Sequence, residues 1–243
     1  MADISIENIL KSLEISDIEE KVVALNQSKR HPIVALVNTS DSMKGYENLL
    51  KKIIEGLYNT ILFDRATGNS AELAILSFNS EVKILERMCE IKCQEDRGKN
   101  LNFHCHGCTL TGLALKNAIM QIEGRKRVYS KNVPKIKYYS PIIILISDGV
   151  AEGCDDNMIE LEEEAMKFSR AYIKKKVSEN NLIVIPVKIG NYGDDALMGE
   201  LTGHNNDKRI VKVSSEEDLE DFFFCVQIIL LALIRFRNKI KGW

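Results

Sequence analysis

The chain has little of what marks the special classes of protein. It holds four prolines and a single tryptophan in 243 residues, and neither an internal repeat nor a low-complexity tract, so repeat and low-complexity architectures are excluded. A surplus of one charge is also missing. Thirty-three Lys and Arg against 35 Asp and Glu leave a net charge of −2, which offers no global field for nucleic acid or anionic lipid, and neither partner is expected. No basic segment followed by an apolar one opens the chain, so secretion by that route is not expected. Long hydrophobic runs are absent too. Phe222 to Ile234 is strongly apolar but only 13 residues long and broken by Gln227, whereas a membrane span needs about 20. It reads as a packed terminal helix, with Phe222, Phe223 and Phe224 as a possible partner surface. Catalytic signatures are equally scarce. No Gly-rich phosphate loop with lysine follows a strand, and the four histidines form no convincing Ser/His/Asp set.

What remains is ordinary soluble-domain composition, 45% hydrophobic and 28% charged, in a length that suits one domain or one domain with an appendage. The six cysteines (Cys89, Cys93, Cys105, Cys108, Cys154 and Cys225) read as reduced thiols rather than a disulfide frame, which implies a cytoplasmic location. Residues 1–30 carry two short amphipathic patterns. Ile6, Ile9, Leu10 and Leu13 follow Ser5; Ile18, Val22 and Leu25 follow Ser16, and Glu19 completes a capping-box spacing. They predict a helical arm, either packed on the domain of residues 31–243 or used to dock a partner.

From residue 32 strands alternate with helices. The pattern predicts strands at 33–38, 71–78, 81–85, 141–147, 182–189 and near 209–213. Helices are predicted at 43–63, 110–122, 157–176, near 194–201 and from about 216 to 239. The class is α/β: a doubly wound, mostly parallel sheet with helices on both faces and one antiparallel edge strand, from the tight Asn79-Ser80 turn. The runs 33–37 and 142–146 are continuously apolar, so both their faces need cover. In such sheets ligands sit beyond the strand C-termini at the switch point.

Three loops should meet at that edge. Asn38-Thr39-Ser40-Asp41-Ser42-Met43 leaves the first strand, Cys108-Thr109-Leu110-Thr111-Gly112 opens a helix, and Ser147-Asp148-Gly149 ends the most buried strand. Each of these residue types alone suits a cap or turn; together their oxygens make a site for an oxygen-loving cation or an anion.

On these residues the chain resembles the von Willebrand factor type A domain over about residues 32–238. The serines of that family's Asp-x-Ser-x-Ser loop match Ser40 and Ser42, its distant Thr matches Thr109, and its distant Asp matches Asp148. Within the family it looks most like the bacterial tellurium-resistance-associated group. The resemblance implies an intracellular protein-binding module, with Mg²⁺ as cofactor, in a stress-response or signalling assembly that includes a kinase or phosphatase partner. It implies no catalysis. One departure stands out: the first acidic position is Asn38, and Asp41 occupies the usual small position between the serines. Asn keeps a carbonyl but loses a charge, and Asp41 restores the count as a possible additional ligand. Two outcomes stay open: Mg²⁺-type binding, or a hydrogen-bonded polar loop without metal.

Other chemistry is weighed beside this. Cys89, Cys93, His104, Cys105, His106 and Cys108 offer zinc ligands, hence a zinc-clipped scaffold as an alternative, although isolated thiols are the favoured reading. A metal-dependent phosphotransferase or phosphatase-like enzyme is the other alternative, but Asn38 stands where an aspartyl nucleophile would be. Arg125, Lys126, Arg127, Lys131, Lys135 and Lys137 read as a solvated basic insert at the far end of the sheet, suited to an acidic protein.

Overall fold

The computed structural model describes residues 29–94, 96, 98–150, 156–191, 193–201 and 210–235. The predicted arm therefore lies almost entirely outside the described residues. The elements are β1 (His31–Asn38), α1 (Glu47–Phe63), α2 (Arg65–Ser70), β2 (Ala71–Phe78), β3 (Val82–Glu90), α3 (Thr111–Lys131), β4 (Ile142–Ser147), α4 (Asp156–Ser178), β5 (Ile183–Ile189), α5 (Asp195–Glu200), β6 (Val211–Val213) and α6 (Leu219–Arg235).

Six strands form one sheet in the order β3-β2-β1-β4-β5-β6. Every pairing is parallel except β2 with β3. Alternate residues of the central strands feed two cores. Ile33, Ala35 and Val37 of β1, with Ile142, Ile144 and Ile146 of β4, pack under α1 and α6. Val34, Leu36, Ile143 and Leu145 pack under α3 and α4. The two-sided cover expected from their apolarity is thus present. From β1 the chain winds toward β2, and from β4 toward β5, so the switch point falls between the C-termini of β1 and β4.

Gly112 lets α3 and α4 approach: a Cβ there would lie 2.5 Å from the Met166 nitrogen and 2.8 Å from the Glu162 oxygen. Glu162 closes the contact by accepting N–H bonds from Gly112 and, at 2.9 Å, from Leu113. It thereby caps the start of α3.

Several expectations are corrected. α1 begins at Glu47, because Asp41–Met43 forms a separate 3-10 turn. The short α2, capped by Asp64 on the Thr67 N–H, was not foreseen. The spacing of Met158, Leu161, Ala165, Phe168 and Tyr172 predicts one inner stripe on α4, but Leu161 is 44% exposed. α3 continues to Lys131, through half of the predicted basic insert. Arg125 is accordingly not solvated: its Nε and Nη2 donate to Glu72 at 2.5 and 2.9 Å, and Tyr129 donates to the same carboxylate at 2.5 Å. Arg30 lies 3.7 Å from Glu72 and donates to Glu90 at 2.7 Å. The terminal helix is packed as expected, with Phe222, Val226, Ile229 and Leu230 buried, although Phe224 is 63% exposed. Among the described residues no helix is long and apolar enough to cross a membrane.

His31, at the start of β1, is buried and stacked on Tyr139 with ring centroids 4.0 Å apart. Burial, aided by Lys29, pushes its pKa down to about 3 from 6.5. Folding therefore favours the neutral ring. Its stabilising effect is complete above pH 6.5 and drains away as pH falls toward about 3, by up to about 1.4 kcal/mol per pH unit. His31→Phe keeps a stacking ring and cannot titrate, so urea unfolding compared at neutral and mildly acid pH should show a shallower loss in the variant. An identical slope in both proteins would refute this origin.

Candidate functional site at the strand C-terminal edge

Asn38 is the last residue of β1 and is fully buried. Its carbonyl accepts the Ser40 N–H at 2.9 Å, which orients the amide. The amide nitrogen then donates to Ser147 Oγ at 3.1 Å and to Asp148 Oδ1 at 3.2 Å. Asn38 thus clasps the end of β4 to the end of β1 without bringing two carboxylates together. Ser147 had no predicted role, and its Oγ also accepts the Gly149 N–H at 3.2 Å. Its position directly before Asp148 was the only signal available.

Beyond β1 the Ser40 and Ser42 hydroxyls lie 3.1 Å apart. Ser40 is buried and Ser42 half-buried. Asp148 is 4% exposed and accepts the Val150 N–H at 3.2 Å. The loop after β5 seals this turn: the Asp194 N–H donates to Gly149 O at 3.1 Å, and Gly193 has a φ of 91°. Any Cβ at Gly193 would lie 2.0 Å from the main-chain carbonyl oxygen of Asp148.

The third loop lies across the first. The His106 N–H donates to Thr39 O and the Asp41 N–H to Gly107 O, each at 2.9 Å, while the Leu110 N–H donates to Asn79 O at 3.2 Å. These bonds hold Thr109, which is 6% exposed and whose Oγ1 is buried with no hydrogen-bond partner. The structure therefore brings the loops of Asn38, Ser40, Ser42, Thr109 and Asp148 to one edge. Asp41 is turned away. Its side chain is half exposed and paired with Lys44 at 2.6 Å, and the Lys44 hydrogen bond holds its carboxyl below the usual range.

The donor set fits a hard divalent cation: small hydroxyls, one carboxylate and a buried hydroxyl that the protein leaves unsatisfied. A single carboxylate makes it a poor electrostatic trap, and Asn38 already engages one Asp148 oxygen.

The cysteine–histidine set does not assemble comparably. Cys89 and Cys105 are buried, Cys93 is exposed, and the His106 ring contacts the His104 carbonyl at 3.0 Å. Burial pushes the Cys105 thiol up to about 12. Among the described residues no group of three or more His, Cys, Asp or Glu gathers to hold a metal. Cys108 is disulfide-bonded, its partner lying outside the described residues, so the expectation of six reduced thiols is corrected. Linear spacing does not reveal which thiols meet in space. The bridge is attached one residue before Thr109.

Known proteins share this fold. The model of the von Willebrand factor type A domain matches residues 33–224. The proximal thread matrix protein 1 of the mussel byssus, solved with a zinc-occupied MIDAS motif, superposes with a TM-score of 0.54 at 16% identity, covering 82% of this chain and 48% of that one. The pilus adhesin SpaC from Lactobacillus rhamnosus GG, in an open conformation, superposes with a TM-score of 0.58 at 12% identity, covering 85% and 30%. This chain spans less than half the length of these structures, and at such identity they show a shared fold alone. None of the curated proteins matches the chain. The family model covers well over half of the sequence, and the chain belongs to the von Willebrand factor type A domain family.

Proposed function

We propose that this chain is a protein-docking module, not an enzyme, that receives its partner on the C-terminal edge of β1 and β4. Thr109 carries the reading. A buried hydroxyl with no partner costs about 1–3 kcal/mol, so a ligand that satisfies it gains differentially. Ser40, Ser42, Thr109 and Asp148 are the residues that would hold a divalent cation, Mg²⁺ by the family resemblance, while Asn38 steadies Ser40 and Asp148 from behind. When bound, such a cation supplies a Lewis-acid position for an oxygen of the partner. The zinc-occupied motif of the mussel protein supports a divalent ion in this kind of site. The Asn38 amide at the strand end supports a binding role over phosphoryl transfer, because it offers no nucleophilic carboxylate.

The finer kinship is with the tellurium-resistance-associated group, on the Thr39-Ser40-Asp41-Ser42-Met43 loop and the Phe78-Asn79-Ser80 turn. It puts the module in a bacterial stress-response or signalling assembly beside a kinase or phosphatase. Cys89, Cys93, Cys105 and Cys225 form no disulfide, which goes with a cytoplasmic setting, and the Cys108 disulfide stands against it.

Thr109→Val tests the site cleanly. It removes a hydroxyl that bonds to nothing in the protein, so thermal stability should hold or rise while partner capture from native lysate falls as it does with chelator. Capture indifferent to both treatments, or Mg²⁺-dependent phosphate release from a phosphoester by the wild type, would overturn the proposal.

A further inference from the structure

The pole opposite the candidate site has a charge pattern that the net charge of −2 hides. α3 and α4 both begin at the site edge and end at this pole, where Ser140 Oγ, just before β4, donates to Asn180 O at 2.7 Å and ties the loop that follows α3 to the turn that follows α4. Between Glu123 and Asp148 the chain has six Lys and Arg and no acid. Arg125 is consumed by Glu72 and Lys126 by Glu123. Arg127, Lys131, Lys135 and Lys137 stay exposed, joined by Lys174 and Lys175 from the end of α4. Lys131 and Lys175 suit a helix C-terminus for local reasons. Lys135 and Lys137 have no helix end to neutralise, and the nearby Glu179 is already paired with Lys176 at 3.4 Å.

At the apex between these cations Val133 is 98% exposed. The loop is nevertheless pinned on both sides. Asn132 Nδ2 donates to Val128 O at 2.7 Å, the Ile136 N–H to Tyr129 O at 3.1 Å, and the Arg30 N–H to Lys137 O at 2.8 Å. A held, protruding apolar tip flanked by ammonium groups has the wrong shape for gripping an extended peptide. Its exposed cations are five lysines and Arg127, and its exposed ring, Tyr138, already packs against Tyr129 and Lys126, so it offers little of the arginine forks and open stacking platform that nucleic acid favours. It suits a yielding anionic interface, where headgroups meet the lysines and Val133 enters the acyl boundary.

The geometry points to reversible docking of this pole on an anionic lipid bilayer, which leaves the candidate site facing away from the membrane. Each cation at such a surface contributes about fivefold to partitioning, and the effect is screened by salt. Sedimentation of the full chain with phosphatidylcholine vesicles, with and without about 30% phosphatidylserine, reads it directly. Binding is expected only with phosphatidylserine and should fall at least about tenfold when salt rises from about 0.05 to about 0.5 M. Lys135→Glu/Lys137→Glu should weaken partitioning about 100-fold, Lys174→Glu/Lys175→Glu comparably, and Val133→Asp several-fold. All three variants change exposed side chains, so melting temperatures should stay within about 2 °C of wild type. Equal binding to both vesicles, indifference to the lysine pairs, or tighter binding to a poly-glutamate peptide or an oligonucleotide than to the vesicles overturns the inference.

Discussion

Glu72→Gln should lower the melting temperature by roughly 10–15 °C, the largest single effect expected in this protein. Glu72 is fully buried on β2 beneath Arg125, Arg30 and Tyr129. Replacing a paired buried carboxylate by a neutral amide leaves guanidinium charge uncompensated where water does not reach, at a cost of about 3–5 kcal/mol. A pair of this kind is weak evidence for net stability over an apolar equivalent, yet breaking it from one side is expensive. Arg125→Met should cost less, because Glu72 keeps Tyr129 and Arg30. Thermal unfolding of both variants decides it. A loss below about 1 kcal/mol for Glu72→Gln would mean that the cluster relaxes toward solvent.

Asn38→Asp should raise Mg²⁺ and Mn²⁺ affinity roughly 10- to 100-fold by placing a second ionised group beside Asp148. The same change removes the donor that now lies 3.2 Å from Asp148 Oδ1 and sets two carboxylates against each other. In chelator the variant should therefore be about 1–3 kcal/mol less stable than wild type, and divalent ions should restore it. Calorimetric titration and melting curves with and without metal read both halves. If affinity does not rise and stability does not depend on metal, the loop is a hydrogen-bonded clasp and not a cation site. Asp41 cannot stand in for the missing carboxylate while it is held outward by Lys44.

The parts of the fold that were legible are those whose cause is local. Continuous apolar runs at 33–37 and 142–146 demanded cover on both faces, and α1, α6, α3 and α4 supply it. The Asn79-Ser80 turn announced the antiparallel edge. The basic insert was misread because Arg125 is explained by Glu72, fifty-three positions away and on another element. Periodicity cannot reveal a charge whose partner is brought in by the sheet. The same holds for Glu162, which by sequence is one of the acids Glu160, Glu162, Glu163 and Glu164 on the wet side of α4 until Gly112 lets α3 settle on α4.

By itself, then, the sequence determined the α/β alternation, the strand identities and the three oxygen-bearing loops, since these follow from hydrophobic period and from residues that favour strand ends and helix starts. Only the tertiary structure decided which oxygens turn inward. It left the Thr109 hydroxyl unsatisfied, directed the Asn38 amide onto Asp148, and faced Asp41 toward Lys44. It also separated a net charge near zero into a basic pole and a carboxylate-bearing edge. Side-chain direction and charge placement depend on contacts between residues far apart in the chain, and those exist only once the sheet has brought its loops together.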